Sequence, residues 1–276
     1  MPPLAPTASM APMAPIPSRA PTPLRLTMLG SGTSTGVPVV GCDCAVCRSA
    51  DPRNRRMRPG LRLEFGGGSV VVDTSPDFRE QALRFGIDRV DAVLYTHSHA
   101  DHVFGLDDLR IFNFRQRGSI PCFGSAETMR RMRQIFTYVF EDGQEGGGKP
   151  RLELVPVRAP FELLGTPVVP VPVAHGGMEV FGFRIGGFAC VTDVNFISEE
   201  SFGLLAGVEL LVLSALRYRP HPTHFSLAES IVVAQRIGAR RTLLTHVAHD
   251  IDHGRLLLDL PPGIELGYDG LVATLD

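Results

Sequence analysis

The sequence lacks an excess of charge of either sign, and it lacks any long apolar run. Its 27 basic and 29 acidic residues leave a formal net charge of −2. A net charge this small does not indicate a protein that binds nucleic acid. It does not exclude a local basic patch. No segment approaches the roughly 18 consecutive apolar residues of a membrane span. We therefore expect no membrane partner, and nucleic acid is not the expected partner either.

Cysteine is scarce, and its distribution excludes a disulfide framework. Of the five cysteines, Cys122 and Cys190 stand far apart, while Cys42, Cys44 and Cys47 fall within six positions. An odd cluster this tight cannot pair off completely as disulfides, and it is typical of three ligands of a metal site. A closed structural zinc site has four ligands, so one must come from elsewhere in the chain. Because a thiolate site fits a reducing compartment, we expect a cytoplasmic protein.

The first 23 residues differ in character from the rest of the chain. They contain eight prolines, along with alanine, serine and threonine. Proline at this density disfavours helix and strand alike. The segment has no basic start and no unbroken apolar core, so it does not match a secretory signal. We predict a disordered leader over residues 1–23 and a single folded domain over residues 24–276.

Beyond the leader, short apolar runs alternate with helical patterns. Segments such as LRLTML, SVVVDT, DAVLYT and VELLVLSAL predict strands. PDFREQALRFG, with proline in its first turn, and SLAESIVVAQRIG predict helices. The stretch from PCFGS to GGGKP is interpreted as a helix and a glycine-rich loop. Runs of strands with helices between them predict an α/β fold of two β-layers with outer helices.

The segment HSHADH follows a predicted buried strand. It places His97, His99, Asp101 and His102 within six residues. In an extended segment, residues two apart point to the same side, so the imidazoles of His97 and His99 can face one ion. Asp101 and His102 follow where the chain turns toward a helix, and they can face a second ion. Imidazoles with a carboxylate favour zinc, manganese or iron over calcium.

The pattern H-x-H-x-D-H at a strand end resembles the signature of the metallo-β-lactamase superfamily. The resemblance implies an αββα sandwich, two β-sheets flanked by helices, with two catalytic divalent ions (zinc or manganese) at one edge. It also implies a part in catalysis for Asp101. The implied ligands are His97, His99 and His175 for one ion, Asp101, His102 and His246 for the other, and Asp193 as a bridge. Asp73, which ends SVVVDT, would support the ligand loop.

A candidate for the fourth ligand of the cysteine cluster is His249, three residues beyond His246. It would complete a structural zinc site of the Cys₃His type. The Cys-x-Cys-x-x-Cys segment after GSGTSTGVP, together with this histidine and the ending IELGYDGLVATLD, is similar to the PhnP-type phosphodiesterases of bacterial phosphonate degradation. Those enzymes hydrolyse phosphoribosyl cyclic phosphate. The likeness runs from Leu24 to Asp276.

The segment YRPHPTHFSLAES contains two further histidines. In the PhnP type a histidine at this position is catalytic rather than a ligand, and the resemblance gives that role to His224, as a general acid. His221, followed by proline, is interpreted as a loop residue. Ser226 and Glu229 have the spacing of a capping box, which is the structural interpretation of the same stretch.

Together these features predict a hydrolase of small or cyclic phosphodiesters that uses a hydroxide activated by two metal ions. The expected partner is a small anionic phosphodiester substrate. The sequence leaves open whether the protein forms a homodimer. Arginines could help to hold such a substrate or remain solvated surface charge; the candidates are Arg53, Arg55, Arg56, Arg58, Arg217 and Arg219. Three alternatives stay open: a thioester or lactone hydrolase, an RNA-end nuclease, and a non-hydrolytic metal-binding protein like pyrroloquinoline quinone biosynthesis protein B.

Overall fold

The computed structural model describes residues 23–141, 148–256 and 259–276. The predicted leader lies outside the described residues except for Pro23, and so does most of the predicted glycine-rich loop. Within the described residues, fourteen strands form two seven-stranded sheets. No helix in these ranges is long and apolar enough to cross a membrane.

The first sheet has the strand order β14-β1-β2-β3-β4-β5-β6. Strands β14, β1, β2 and β3 are antiparallel neighbours, and the pairs from β3 to β6 are parallel. Its strands are β1 (Leu24–Gly30), β2 (Gly60–Phe65), β3 (Gly68–Val72), β4 (Ala92–Leu94), β5 (Ile120–Gly124), β6 (Leu152–Pro156) and β14 (Val272–Leu275).

The second sheet has the order β13-β12-β11-β10-β9-β8-β7. Here β7 to β10 pair antiparallel and β10 to β13 pair parallel. Its strands are β7 (Phe161–Leu163), β8 (Thr166–His175), β9 (Met178–Ile185), β10 (Phe188–Val191), β11 (Leu210–Ser214), β12 (Arg241–Thr245) and β13 (Ile264–Leu266).

Helices connect the parallel strands and cover the outer faces. Helix α7 shows why the sequence is helical locally: Ser226 and Glu229 form the predicted capping box, and Gly238 ends the helix in the left-handed conformation. The helices are α1 (Phe78–Arg84), α2 (Ala100–Val103), α3 (Arg110–Gln116), α4 (Ala126–Ile135), α5 (Thr137–Phe140), α6 (Glu199–Leu205), α7 (Leu227–Ile237) and α8 (His253–Leu256).

Three apolar layers hold the sandwich together. Side chains from both sheets meet in the central layer, where Leu63 and Phe183 are fully buried. A second layer joins the first sheet to α1–α5, and a third joins the second sheet to α6 and α7. Strand β3 shows the consequence, because Val70 and Val72 face the central layer while Val71 faces the helices. With both faces buried, the parallel strands are continuously apolar. The predicted α/β sandwich is confirmed.

Two local predictions were wrong. Residues 120–124 form β5, where we expected helix and loop, because Cys122 pairs with Val93 of β4 in parallel register. A short apolar run does not distinguish strand from helix until its partner strand is known. Helix α1 begins at Phe78 with Asp77 as its cap, so Pro76 precedes the helix rather than lying in its first turn.

Candidate metal centres and active site

The predicted catalytic ligands lie at one edge of the sandwich, where strands of both sheets end. His97 and His99 follow β4, and Asp101 and His102 lie in α2, which His99 caps. From the second sheet, His175 is the last residue of β8, while Asp193 and His246 follow β10 and β12. Carboxyl ends of parallel strands meet at one edge, so residues far apart in sequence are brought together.

The backbone is strained at three of these strand ends. Asp73, Asp193 and His246 all have positive φ, at 60°, 53° and 58°. Residues other than glycine rarely adopt this left-handed region, and each instance costs on the order of 1–3 kcal/mol. The surrounding fold holds all three side chains in place against this cost. Such strain clusters at functional sites.

One group of donors consists of His97, His99 and His175, whose ligand atoms lie within 4.8 Å of one another. His175 Nδ1 donates to the carbonyl of Thr223 at 2.7 Å, which leaves Nε2 with a free lone pair. The Thr96 hydroxyl donates to Asp73, so its oxygen accepts from His97 Nδ1 at 3.0 Å. His97 Nε2 is buried without a partner.

The other group consists of Asp101, His102, Asp193 and His246, again within 4.8 Å. Asp73 Oδ2 accepts from His102 Nδ1 at 2.7 Å, and Asp73 Oδ1 accepts from the backbone N–H of Thr96 at 2.9 Å. His102 Nε2 is therefore directed at the carboxylates of the group, 3.3 Å from Asp193 Oδ2. His246 Nε2 lies 3.2 Å from Asp193 Oδ1. Asp73 thus contacts both His102 and Thr96, at the two ends of the ligand loop.

Charge in the second group is balanced between imidazoles and carboxylates. Burial alone would raise the pKa of Asp193, but His246 and His102 hold it well below its ordinary value. Burial alone would lower the pKa of His102, but the carboxylates of Asp193 and Asp73 raise it well above its ordinary value. The carboxylates of this group thus favour a positive charge in a buried pocket, which is a charge that a divalent cation would also supply.

The donor set fits divalent metal ions. His97 Nε2, His102 Nε2 and His246 Nε2 are buried and have no hydrogen-bond partner among the residues that the structure describes. Buried polar atoms without a partner are costly, and an ion at each group would satisfy all three. Nitrogen and carboxylate donors favour zinc, manganese or iron. Asp193 is close to ligand atoms of both groups, which is the position that a bridging ligand requires.

His224 lies against the two groups. Its ring centroid is 4.5 Å from that of His175 and 5.0 Å from that of His246. Within the described part of the chain its buried Nδ1 has no hydrogen-bond partner, and it lies 3.7 Å from Asp193 Oδ1. Burial lowers the pKa of His224 to about 3. Its ligand atom is within 4.8 Å of those of His175 and Asp193, so this geometry is compatible with a ligand as well as with the predicted general acid.

The cysteine cluster and its predicted fourth ligand also come together. His249 Nδ1 lies 3.3 Å from Cys42 Sγ and 3.5 Å from the Sγ atoms of Cys44 and Cys47. The backbone N–H of Cys47 donates to Cys44 Sγ and lowers the pKa of Cys44 to about 6, whereas burial raises the pKa of Cys47 to about 11. Three sulfurs around one ring nitrogen fit a Cys₃His zinc site.

Most of the candidate arginines are already engaged in the fold. Arg53 pairs with Asp51 and Arg58 pairs with Asp77. Arg56 is buried, and its guanidinium donates to the carbonyls of Ala248 and Ile251. The contacts of Arg217 are to the backbone oxygens of Arg219 and Pro220. These arginines maintain loops, which weakens the prediction that they hold substrate.

Sequence reasoning missed two residues that orient the site. Thr96 bonds Asp73 and His97, and its place directly before the metal motif was the available signal. Asn195 accepts from the backbone N–H of Gly176 and donates to the carbonyl of Pro222, so it connects the turn after His175 to the loop before His224. Nothing in the sequence marked Asn195.

Several known proteins are similar to this chain. The Beta-lactamase superfamily domain family matches residues 69–247. A protein of Porphyromonas gingivalis named octanoyltransferase is 40% identical over 258 residues, 92% of this chain and 52% of that protein. A ribonuclease Z of Bradyrhizobium sp. is 31% identical over 48% of this chain and 45% of its own length. The chain thus spans about half the length of these curated relatives.

Solved structures give likenesses over nearly the whole chain. A crystal structure described as a new diphosphatase from the PhnP family is 43% identical, with a TM-score of 0.86, and the match covers 92% of this chain and 98% of that one. Zn²⁺-bound PqqB from Methylobacterium extorquens has a TM-score of 0.75 over 91% of this chain and all of its own, but at 19% identity it shows the fold alone. The protein resembles the PhnP family in sequence and in fold. The match to the family model over residues 69–247 shows that the chain belongs to the β-lactamase superfamily domain family.

Proposed function

We propose that this protein is a metal-dependent phosphodiesterase that cleaves small or cyclic phosphodiesters. The observation that carries the proposal is the position of His224, which packs against His175 and lies 3.7 Å from Asp193 without a hydrogen-bond partner. A free imidazole beside the two donor groups is suited to protonating a departing alkoxide. The 43% identity with a diphosphatase of the PhnP family supports phosphoryl chemistry.

Two catalytic ions, zinc or manganese, would be held by the two donor groups. In our proposal one ion would be held by His97, His99 and His175, the other by Asp101, His102 and His246, and Asp193 would contribute to both sites. When bound, such a pair lowers the pKa of water and neutralises charge on a phosphoryl group. A third ion, zinc, would join Cys42, Cys44, Cys47 and His249 as a structural centre.

The chain's own groups orient the donors and supply the proton. Asp73 and Thr96 hold the rings of His102 and His97, and the carbonyl of Thr223 holds that of His175. Burial lowers the pKa of His224 to about 3. An anionic phosphodiester beside His224 would oppose this shift and favour the imidazolium, which is the form that a general acid requires.

Proteins with the same fold have names that imply other activities. A panel of substrates distinguishes these alternative functions. A thioester or lactone hydrolase, or an acyl-transferring protein like the relative named octanoyltransferase, needs the same metal donors but has no evident need for His224. An RNA-end nuclease, suggested by the relatives named ribonuclease Z, needs a surface that grips RNA. The candidate arginines are largely bonded within the fold instead.

The decisive experiment assays the purified protein with manganese and with zinc. The panel contains cyclic nucleotides, bis(p-nitrophenyl) phosphate, a precursor tRNA, thioesters and lactones. We expect hydrolysis of the small phosphodiesters to exceed that of every other class. Activity confined to thioesters or lactones contradicts the proposal. Preferred cleavage of precursor tRNA that weakens steeply with salt supports the nuclease instead.

A further inference from the structure

The segment between His246 and His249 supplies one donor to each of the two candidate metal centres. His246 lies in the Asp101 group, and His249 lies among the three cysteines. Within the described residues, neither ring is oriented by a second hydrogen bond of the kind that His102 makes. His246 Nδ1 is buried without a partner, and the ring contacts of His249 are those of its Nδ1 with the sulfurs. The backbone of this segment must therefore place both rings.

Arg56 holds this segment from inside the fold. Its side chain is buried, and Nη1 donates to the carbonyl of Ala248 at 3.1 Å while Nη2 donates to the carbonyl of Ile251 at 2.8 Å. The two carbonyls lie on either side of His249 in the sequence. No carboxylate pairs with this guanidinium in the part of the chain that the structure describes. An apolar side chain would fill the same space without the cost of a buried charge, so the guanidinium contributes its bonds to the two carbonyls.

The backbone of Arg56 is bound to the two turns that precede the cysteines. It pairs with Val37 through two hydrogen bonds of 2.8 Å, and Val37 packs in the small apolar cluster of the cysteine loop. The carbonyl of Arg56 lies against Gly32, where an added Cβ would approach it to 2.9 Å. Gly32 in turn pairs with Val247, directly after His246. Arg56 thus contacts the cysteine loop and the donor-bearing segment at the same time.

Asn54 fixes the direction of the guanidinium. Its Oδ1 accepts from Arg56 Nη2 at 3.0 Å and from the backbone N–H of His253 at 2.9 Å. Its Nδ2 donates to Asp252 Oδ2 at 2.9 Å and to Ser49 Oγ at 3.0 Å. Because Asn54 is itself buried and bonded on both sides, the guanidinium is held in one orientation against the segment.

We propose that Arg56 is a positioning residue that serves both metal centres. Its bridge between the carbonyls of residues 248 and 251 directs His249 toward the cysteines and His246 toward the carboxylates of its group. His246 has a φ of 58°, a conformation that persists only where the surrounding structure holds it. When the bridge is lost, this strained residue can relax, and each centre loses a well-placed donor. The inference goes beyond the proposed function, because it concerns metal binding whatever the reaction.

The test measures metal affinity rather than hydrolysis. The purified holoprotein is treated with a chelator until the readily removed ions are gone, and elemental analysis gives the zinc that remains. Manganese is then titrated into this protein by calorimetry, and the chelator concentration that removes the remaining zinc is determined separately. Arg56→Gln is expected to release that zinc at a chelator concentration on the order of 10-fold lower than the wild type, as changes beside metal ligands typically do.

The manganese titration provides a result that general loosening of the fold would not give. Of the two manganese ions, only the one held with His246 should bind more weakly in Arg56→Gln, again on the order of 10-fold. The group of His97, His99 and His175 has no donor in the segment that Arg56 holds, so its ion should bind as in the wild type.

Two further variants make the test specific. Arg56→Lys keeps the charge, but an ammonium is a compact donor that does not reproduce the planar fork of a guanidinium. It is expected to recover part of the lost affinity at most, and wild-type affinity for both metals in this variant overturns the bridge. If Arg56→Gln is insoluble, Arg56→Lys is measured in its place by the same criteria. Arg55→Gln removes the same charge from the adjacent, exposed position and should match the wild type.

The remaining outcomes each decide the inference. Wild-type zinc retention and manganese affinity in Arg56→Gln overturn it, and so does a loss at the thiolate cluster alone, because Arg56 would then serve one centre. Equal weakening of both manganese ions, together with a lower melting temperature, assigns Arg56 a general structural part and also overturns it. None of these measurements uses a substrate. Failure to hydrolyse any diester therefore overturns the phosphodiesterase proposal and leaves this inference to its own test.

Discussion

The thiolate cluster and the histidine–aspartate centre are built in opposite ways. Three of the four thiolate-site donors come from one short segment, 42–47, and only His249 is distant in sequence. The donors of the other centre come from α2 and from the ends of four strands in both sheets. Cys42 and Cys44 are partly exposed, whereas all four donors of the Asp101 group are buried. The thiolate segment carries much of its geometry locally, but the catalytic centre exists only in the finished sandwich.

The way the histidines are held differs as well. His102 and His175 each use their second ring nitrogen in a hydrogen bond of 2.7 Å, to Asp73 and to the carbonyl of Thr223. At the thiolate cluster, the ring contacts of His249 are those that its Nδ1 makes with the three sulfurs. Oriented ligands tune a reactive metal, while a Cys₃His site serves to join segments. The comparison predicts that damage to one centre abolishes chemistry and damage to the other loosens the fold.

Metal removal should give the largest effect and should separate the two centres. Protein purified without chelator is expected to contain up to three ions per chain by elemental analysis. A chelator should remove two of them readily and abolish hydrolysis, because the oxygen and nitrogen donors bind less tightly than three thiolates. Adding manganese or zinc should restore activity. Elemental analysis that finds one ion or none contradicts the assignment of the donor groups.

Replacing His224 should give the next largest effect. His224→Ala is expected to lose roughly 10²–10⁴-fold in kcat on diesters with poor leaving groups, the usual value of general-acid assistance. The loss on bis(p-nitrophenyl) phosphate should be much smaller, because p-nitrophenolate departs without a proton. Metal content should stay at the wild-type level.

The neighbouring His221 offers a matched control for that variant. It bonds Thr223, and its ring lies tilted against that of His224, but it is not in any metal-donor group that the described residues form. His221→Gln should therefore lose little on either substrate. Equal losses of activity for His224→Ala on both substrates, together with loss of an ion, would show that His224 is a metal ligand. The distance between His224 and Asp193 permits that role.

A smaller effect is expected at Asp73, which touches ligands rather than metal. In Asp73→Asn an amide N–H would face His102 Nδ1–H, so the ring would lose its orienting acceptor. Changes of this kind typically cost 10–100-fold in metal affinity or activity. Titration of the metal-depleted variant with manganese measures the loss. The control is Asp88→Asn, which changes an exposed carboxylate in the loop before β4. Equal manganese affinities for the two variants would contradict the prediction.

The smallest effect on chemistry and the largest on folding is expected at the thiolate cluster. Cys44→Ser and His249→Ala should lose the structural ion and destabilise the fold by roughly 4 kcal/mol or more. For a chain of this size, that lowers the melting temperature by about 10 °C. Folded protein should retain most of its kcat. Asp43→Asn, at the exposed neighbouring position, should melt like the wild type. Wild-type melting and zinc content in both cluster variants would show that His249 is not the fourth ligand.

Much of the architecture could be predicted from local sequence patterns. The predictions that failed share one cause. The capping box at Ser226 and the apolar strands of both sheets follow from neighbours in sequence. Strand β5 did not, because its short run becomes a strand only through pairing with β4 and β6. The arginines after the cysteines were expected either to hold substrate or to remain solvated surface charge. Arg56 is instead buried against the carbonyls of residues 248 and 251, which are distant in sequence.

The sequence by itself determined the two compact ligand motifs, HSHADH and the Cys-x-Cys-x-x-Cys segment, because backbone spacing alone places their side chains near one another. It also supplied His175, Asp193, His246 and His249 as candidates, through resemblance and order along the chain. Only the tertiary structure decided that these donors meet, since strands from two sheets must end at one edge before 4.8 Å separations arise. It alone showed Asn195, which connects two segments that are remote from each other in sequence. Local spacing encodes three of the four thiolate-site donors and four of the seven histidine–aspartate donors, and the packing of the sandwich brings in the rest.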